Sequence, residues 1–374
     1  MLEYLCNYEV FVNTFLTYFL GDFLSGLGRL LFVLFLFFVQ DAAHAENKKP
    51  YVLVTGGAGY IGSQTCKALA AKGYIPVTFD SLQSGTEDAV KWGPLVIGDL
   101  MDPEALDRAF HAYPPVGVIH FAALTSVGTS VMDPSKFYWN NVVGSLTLLE
   151  AVRKHRIPVF IFSSTAAAYG IPLEGMVNEF SPLQPINPYG NTKLMVEKML
   201  SDFERAYGIR YVCFRYFNAA GADMEGELGP NFQSATHLIP MIIQVAAKKR
   251  PYLEIYGTDF DTPDGTGVRD YIHVADLARA HVLGLEYLLD GNPSVVLNLG
   301  SGHGYSVKEV VAAVQKVTSR TIPLVYTARR TGDPAAVVAD SSRAKEILGW
   351  EPCCSDLESM IRSCWQWHQA KYRE

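Results

Sequence analysis

The residues Val54-Thr55-Gly56-Gly57-Ala58-Gly59-Tyr60-Ile61-Gly62 form a glycine-rich loop between an apolar run, Tyr51–Val54, and an amphipathic segment, Ile61–Lys72. The glycines at 57, 59 and 62 match G-x-G-x-x-G, and those at 56, 59 and 62 also match G-x-x-G-x-x-G. Such glycines permit a tight turn, close approach of backbone N–H groups to a pyrophosphate, and close packing of helix on strand. The pattern therefore predicts a strand–loop–helix unit that binds a dinucleotide.

A carboxylate follows the next apolar run. Ile75–Phe79 ends at Asp80, about 20 residues after the loop, where the acid that binds the ribose hydroxyl stands in dinucleotide sites. The next residues, Ser81 and Leu82, include no arginine that could hold a 2′-phosphate. The sequence therefore favours NAD over NADP as the cofactor.

Apolar runs alternate with helical segments through the first half of the chain after residue 48, which is typical of βαβ units and a parallel sheet. Glycine and proline then cluster, and the apolar runs become shorter. We predict an α/β fold: a Rossmann-type doubly wound parallel sheet with a smaller mixed α/β substrate-binding C-terminal lobe. The predicted NAD-binding domain covers 49–215 plus about 266–290, and the second lobe covers about 216–265 plus 291–374.

The composition is that of a globular protein with a sizeable core. Hydrophobic residues make up 49% of the 374 and charged residues 18%, which excludes disorder and coiled coils. The net charge is −7 and basic residues form no block, so we expect no nucleic-acid partner. The six cysteines form no C-x-x-C and no metal spacing with histidine, so we predict reduced thiols and no metal site.

The first 48 residues differ from the rest, since they hold eight of the twenty phenylalanines. Leu30–Val39 follows Arg29 and precedes Ala43-His44-Ala45, the layout of a secretory signal. Ten apolar residues are too few for a membrane span, which needs ~20. We predict a hydrophobic leader over 1–48 whose role the sequence leaves open. It is either a targeting segment or membrane contact through residues 1–40, or a dispensable extension from an over-extended gene start.

Tyr189 and Lys193 stand four residues apart in the only Y-x-x-x-K of the chain, directly after the helix-start signal Asn187-Pro188. This spacing places both side chains on one helix face. A nearby ammonium group stabilises a phenolate, so we predict that the pKa of Tyr189 is lowered and that Tyr189 acts as a base.

Ser163-Ser164-Thr165 directly follows the predicted strand Val159–Phe162. The carboxyl ends of such strands form the edge where ligands bind in open α/β sheets. The hydroxyl of Thr165 is therefore a candidate to hold the substrate oxygen that Tyr189 deprotonates.

From about Tyr51 to Trp367 the sequence resembles the extended short-chain dehydrogenase/reductase superfamily, and within it the UDP-glucose (UDP-galactose) 4-epimerases. The motifs that carry the resemblance are VTGGAGYIG at 54–62, GDL at 98–100, HFAAL at 120–124, NNVVG at 140–144, FSSTAAAYG at 162–170, PYGNTK at 188–193, RYFNAAGA at 215–222 and GTGVRDYIHVADLA at 265–278.

The resemblance implies a role for residues along the whole chain. The implied catalytic residues are Thr165, Tyr189 and Lys193. The implied cofactor-binding residues are Gly56, Gly59, Tyr60, Ile61, Gly62, Asp80, Asp99, Leu100, Phe121, Ala122, Ala123, Asn140, Thr165, Tyr189, Lys193 and Phe217. The implied substrate-binding residues are Thr165, Asn218, His237, Leu238, Arg269, Arg330, Asp333 and Val337.

The family's chemistry implies an isomerase in which Tyr189 removes the proton from the sugar O4 while C4 is transiently oxidised by NAD and then reduced on its other face. Dehydratases on this scaffold carry an Asp-Glu pair after the site hydroxyl, where this chain has Ala166 and Ala167. Alanines cannot do acid–base work, and decarboxylases of the group keep the Glu, so epimerisation is favoured over both. A net dehydrogenase that releases NADH is a further alternative.

Three positions depart from residues common in the family. Thr125 replaces a frequent lysine, and His237 replaces an asparagine. Val337 stands where some members carry a tyrosine that narrows the sugar pocket, so we expect UDP-N-acetylhexosamines to be accepted as well as UDP-hexoses. A UDP-pentose 4-epimerase and a non-catalytic NAD-binding relative are the alternatives. By family analogy we expect a homodimer, located in the cytoplasm; membrane association through the leader is the alternative.

Overall fold

The computed structural model describes residues 49–172, 175–330 and 332–372, apart from the side chain of Ser234. The predicted leader, residues 1–48, lies outside the described residues. None of the helices in the described part of the chain combines the length and the apolar character that crossing a membrane requires.

The described strands are mostly short and apolar. In chain order they are β1 (Tyr51–Thr55), β2 (Ile75–Asp80), β3 (Leu95–Ile97), β4 (Pro115–His120), β5 (Val159–Ser163), β6 (Met176–Val177), β7 (Arg210–Tyr216), β8 (Asn218–Ala220), β9 (Leu253–Tyr256), β10 (Val268–His273), β11 (Val295–Leu299), β12 (Gly304–Ser306), β13 (Leu324–Thr327) and β14 (Ala336–Ala339).

Several of the α-helices begin directly after residues that suit a helix start: Asp102, Asn187, Ser306 and Asp356 each accept a hydrogen bond from a backbone N–H of the first turn. The helices are α1 (Tyr60–Ala71), α2 (Pro103–Ala112), α3 (Val127–Met132), α4 (Pro134–Phe137), α5 (Gly144–Lys154), α6 (Pro188–Tyr207), α7 (Leu238–Ala246), α8 (Val274–Leu289), α9 (Val307–Thr318), α10 (Ser342–Leu348) and α11 (Leu357–Lys371). Short 3₁₀ turns lie at Glu87–Ala89, Ala166–Tyr169 and Phe232–Ser234.

Seven strands form one parallel sheet in the order β11-β7-β5-β4-β1-β2-β3. Helices α1 and α8 cover one face with a core that includes Leu69 and Leu285. Helices α2, α5 and α6 cover the other face with a core that includes Phe110, Leu149 and Leu200. The predicted doubly wound α/β sheet is therefore confirmed. The strand order reverses between β1 and β4, and ligands bind at such a switch point in this class of sheet.

The apolar pattern of Ser135–His155 predicts a long helix, and the structure has a π-helical stretch at Tyr138–Val143 between α4 and α5. The apolar pattern continues through it, and for that reason the sequence does not reveal the wider turn. Stretches of this kind are rare and often occur at functional sites. Here the stretch turns Asn141 into the protein, where it is buried.

The later part of the chain forms two smaller sheets, of five and two strands. Strands β12, β10, β14 and β6 are hydrogen-bonded in that order, with β8 beside β10, while β9 and β13 form a separate pair. Helices α7, α9 and α11 pack over a third core that includes Ile243, Val314 and Ile361. Strand β11 pairs with β7 and so extends the seven-stranded sheet to Leu299. The second lobe predicted from the sequence includes residues 291–374, and its boundary stays a prediction.

Candidate active site

The glycine-rich loop is shaped by close backbone contacts. Gly56 has φ +74°, and a Cβ there would lie 2.6 Å from the backbone N of Ala122, at the end of β4. A Cβ on Gly62 would lie 2.2 Å from the carbonyl O of Gly56. Both positions therefore require glycine for the loop to close between β1 and α1.

Gly59 is a glycine for another reason. Its backbone is extended, with φ −85° and ψ 176°, a conformation that any residue adopts. A Cβ there would meet one close protein atom, the Gly56 carbonyl O at 3.2 Å. The missing side chain leaves space beside the first turn of α1. The N–H groups of Tyr60, Ile61 and Gly62 lie in that turn, where N–H groups have no acceptor within the helix. This is the cradle that a pyrophosphate fits.

Asp80 closes the far side of this cradle from the end of β2. Its Oδ2 accepts the Ala58 N–H at 3.0 Å, and its Oδ1 accepts the Leu82 N–H at 2.9 Å. The carboxylate is 9% exposed, so it is held rigidly at the carboxyl edge of the sheet. The predicted ribose-binding acid thus lies against the predicted phosphate loop.

The remaining predicted cofactor residues lie along the same edge, at the ends of β3, β4, β7 and the π-helical stretch. The N–H groups of Phe121 and Ala122 both donate to the Thr55 carbonyl, at 2.9 and 3.1 Å, which fixes the β4 end, including Ala123, beside the loop. Asp99 is exposed and caps the Met101 N–H, whereas Leu100 is buried.

Asn140 was predicted here, but Asn141 makes more of the contacts. Asn140 is half-buried and donates to Asn141 Oδ1 at 2.9 Å. Asn141 also accepts the Leu124 N–H at 2.8 Å and donates to Thr192 Oγ1 at 3.1 Å. It thereby ties the β4 end to α6. The sequence signal was the doublet in NNVVG, which does not say which asparagine turns inward.

Thr165, Tyr189 and Lys193 meet at the carboxyl end of β5. Thr165 Oγ1 accepts the Ala167 N–H at 3.1 Å, and its hydroxyl acts to lower the pKa of Tyr189. Lys193 donates to the Ser163 carbonyl O at 2.8 Å and lies 4.9 Å from the centre of the Phe162 ring. All three catalytic candidates are less than a tenth exposed.

The predicted lowering of the Tyr189 pKa is wrong for this arrangement. Burial raises the pKa of Tyr189, and the hydrogen bond from Thr165 opposes that rise. Burial also lowers the pKa of Lys193 to about 7, although Cys213 and Glu197 act in the other direction. The prediction failed because it counted the ammonium charge and left out the loss of solvent around both groups.

The predicted substrate residues from distant parts of the chain form a cluster. Arg269 on β10 donates to Asp333 Oδ1 at 3.3 Å, and the Asp333 N–H donates to the Arg330 carbonyl O at 3.2 Å. The Arg330 guanidinium lies 3.8 Å from the centre of the Tyr256 ring. Guanidinium groups suit a diphosphate.

Phe217 and Val337 belong to a small apolar cluster that also includes Tyr169. Val337 is opposite Arg269 in the β10–β14 register. Asn218 donates to the Asp270 carbonyl at 2.8 Å. The structure therefore places Val337, predicted to border the sugar, next to Arg269, predicted to bind the diphosphate.

His237 and Leu238 are not brought into this cluster by any contact of the described residues. His237 is exposed at the start of α7, and its ring does not cap the helix. Leu238 is half-buried and packs against the third core.

With this geometry established, comparison with known proteins gives the class. Residues 52–300 match the model of the NAD dependent epimerase/dehydratase family. The chain belongs to that family.

Particular relatives and structures are also similar. The chain is 50% identical over 317 residues to the UDP-glucose 4-epimerase of Rhizobium leguminosarum bv. trifolii, covering 85% of this chain and 97% of the relative. It superposes on the UDP-glucose 4-epimerase of Brucella ovis in complex with NAD with a TM-score of 0.83 at 50% identity, over 84% of this chain and 97% of that one. The Bifidobacterium longum enzyme in complex with NAD+ and UDP gives a TM-score of 0.82 at 39% identity, over 86% and 98%.

Proposed function

We propose that this protein is an NAD-dependent UDP-glucose 4-epimerase, an isomerase that interconverts UDP-glucose and UDP-galactose. The observation that carries the proposal is the group of buried Thr165, Tyr189 and Lys193 at the same sheet edge as the glycine cradle. Relatives with that activity, at 50% identity over nearly their whole length, support it.

The residues at the switch point fit NAD. The cradle at Gly59 and the α1 N-terminus would hold the pyrophosphate, and Asp80 would accept hydrogen bonds from the ribose hydroxyls. When bound, NAD would supply the reversible acceptor for the hydrogen at C4 of the sugar. Phe217, in the same apolar cluster as Val337, would flank that reaction centre.

Tyr189 would take the proton of the sugar O4 hydroxyl, with Thr165 holding the same oxygen. Returning that proton completes the reaction, so the tyrosine ends as it began. The Lys193 ammonium would favour the phenolate by its charge. Alanines at 166 and 167 leave no acid beside the ring that could expel water from the sugar.

Arg269 and Arg330 would hold the diphosphate while the oxidised sugar turns over in the pocket. Guanidinium groups suit this task because they present several N–H donors in a fixed plane. Val337 is a small wall at the sugar end, so we expect UDP-N-acetylhexosamines to be substrates too. UDP-pentoses are the alternative substrate class.

The test is to incubate the purified protein with UDP-galactose, without added NAD, and to measure UDP-glucose. We expect interconversion, because the acceptor is regenerated in each cycle, and at least a ~100-fold loss of activity in Tyr189→Phe. A wild-type protein that binds NAD but converts neither UDP-hexoses, UDP-N-acetylhexosamines nor UDP-pentoses would instead be the non-catalytic relative.

We also propose a homodimer. Trp139, Leu146 and Met195 are large apolar side chains on the π-helical stretch, α5 and α6, and they are 59%, 41% and 42% exposed. Neighbouring helices with such a surface suit pairing with a second copy by a two-fold axis.

We place the enzyme in the cytoplasm, where family analogy puts UDP-sugar metabolism. The unpaired thiols of Cys66, Cys213 and Cys364, all buried, are compatible with a reducing compartment. Membrane contact through residues 1–40 stays a prediction.

A further inference from the structure

A buried ion pair lies directly behind the catalytic edge. Arg215 on β7 donates from Nη2 to Glu197 Oε2 at 2.6 Å and from Nε to Oε1 at 3.0 Å. The two side chains are 5% and 6% exposed. Sequence reasoning missed this pair, because an Arg and a Glu in amphipathic segments are usually solvated.

The pair is the centre of a wider buried network. Ser164 donates a short hydrogen bond to Glu197 Oε1. On the other side, Arg215 Nη1 donates to the Tyr169 hydroxyl at 3.2 Å, and that hydroxyl donates to Asn298 Oδ1 at 2.6 Å. The network therefore joins the segment after β5 to α6, β7 and β11.

Ser164 and Glu197 both lie close to catalytic residues along the chain. Ser164 stands between Ser163, whose carbonyl accepts Lys193, and Thr165, which contacts Tyr189. Glu197 lies one helical turn after Lys193 on α6, so the two side chains share a face. A movement of the Glu197 carboxylate would shift Ser164, and with it the two groups that orient the base.

We propose that Glu197 is a positioning residue for the epimerase reaction: fixed by Arg215, its carboxylate holds the Ser163–Thr165 segment and faces the Lys193 side of α6. The inference rests on the proposed function. A fully desolvated ion pair is often no more stabilising than apolar residues of the same shape. The need for a fixed charge and a fixed acceptor at this place explains why a Glu and an Arg, and not two apolar residues, fill it.

The Arg215 guanidinium offsets part of the Glu197 charge, and the carboxylate still acts to raise the pKa of Lys193. The other titratable groups around the Lys193 amine are Tyr189 on α6, Cys213 on β7 and His120 on β4. Burial raises the pKa of Cys213 and lowers the pKa of His120 to about 3, so both are neutral near pH 7.

Glu197 therefore opposes the burial that lowers the pKa of Lys193 to about 7. Without the carboxylate, Lys193 would lose its proton at a lower pH. Because the ammonium form is the one that favours the Tyr189 phenolate, the alkaline limb of the activity profile would move to lower pH.

The experiment compares four variants with the wild type by the pH dependence of kcat and KM for UDP-galactose, the NAD released per chain, and the Tm. In Glu197→Gln, we expect the alkaline limb to move down by roughly half a pH unit or more. In Glu197→Asp, which keeps the charge, the limb returns towards that of the wild type. In Ser164→Ala, which keeps the ion pair, kcat falls roughly tenfold with little change in KM or in bound NAD.

Ser355→Ala is the matched control, because Ser355 is also a buried serine that donates to a buried carboxylate, Asp276, at 2.8 Å. It should lower Tm as Ser164→Ala does and leave kcat and its pH profile unchanged.

A wild-type limb in Glu197→Gln, or a wild-type kcat in Ser164→Ala, overturns the proposal. If Glu197→Gln does not fold, Ser164→Ala and Glu197→Asp decide it. A wild-type protein without activity on any UDP-sugar overturns the proposed function and this inference with it.

Discussion

Replacing Gly62 by alanine tests whether the glycine loop is built for a cofactor. The new Cβ would lie 2.2 Å from the Gly56 carbonyl O and 2.9 Å from the Gly57 Cα. Since an ordinary contact is about 3.4 Å, the loop and the α1 N-terminus must separate by roughly 1 Å. The overpacking costs about 1–3 kcal/mol, or roughly 2–10 °C in Tm.

The same displacement moves the N–H groups that would bind the pyrophosphate. Losing one hydrogen bond to a charged group costs about 1.5–3 kcal/mol, which weakens cofactor binding roughly 10–150-fold. We therefore expect the variant to be purified with much less NAD than the wild type. The assay is chromatography of the nucleotide released on denaturation, together with a thermal unfolding curve.

Gly128→Ala is the control, because Gly128 lies in α3 and its Cβ would meet nothing within 4 Å. It should keep its NAD and show no loss of Tm, since alanine favours a helix more than glycine does. A Gly62→Ala protein with a full complement of NAD and an unchanged Tm would refute the steric argument and the assignment of this loop.

Three other substitutions test the substrate end and the surface. Val337→Tyr should reduce turnover of UDP-N-acetylglucosamine roughly tenfold more than that of UDP-glucose, measured as the ratio of kcat/KM values, because Val337 packs beside Phe217; an unchanged ratio would remove Val337 from the sugar wall. Arg269→Met should raise KM for UDP-galactose roughly 30-fold, by loss of about 2 kcal/mol of charge-assisted bonding; a wild-type KM would contradict its role. Trp139→Glu should give a monomer by light scattering, since about 2 kcal/mol is lost from each of two copies; a wild-type that is already monomeric would contradict the dimer.

The sequence predicts well those structural features that depend on only a few neighbouring residues. The loop at 54–62, Asp80 at the end of β2, and the helix start before Tyr189 follow from local glycine, strand and capping rules. The structure confirms the parallel doubly wound sheet for the same reason, since each βαβ unit carries its own apolar periodicity.

Features that depend on packing between distant parts of the chain cannot be predicted from local sequence patterns. Strand β11 joins the sheet by pairing with β7, more than 80 residues earlier in the chain. The pKa of Tyr189 depends on how completely its neighbours exclude water, which no local pattern reports. The π-helical stretch at Tyr138–Val143 and the Glu197–Arg215 pair are likewise products of tertiary contact.

In the proposed reaction, the hydrogen that leaves C4 of the sugar is the same one that returns to it, without exchange with water. Tyr189 transfers only the proton of the O4 hydroxyl. The most direct measurement is the conversion of UDP-galactose to UDP-glucose in D₂O, followed by mass spectrometry of the hexose. The account predicts product with no deuterium on carbon, formed without added NAD. Deuterium at C4 would show exchange with solvent during the reaction and would contradict it.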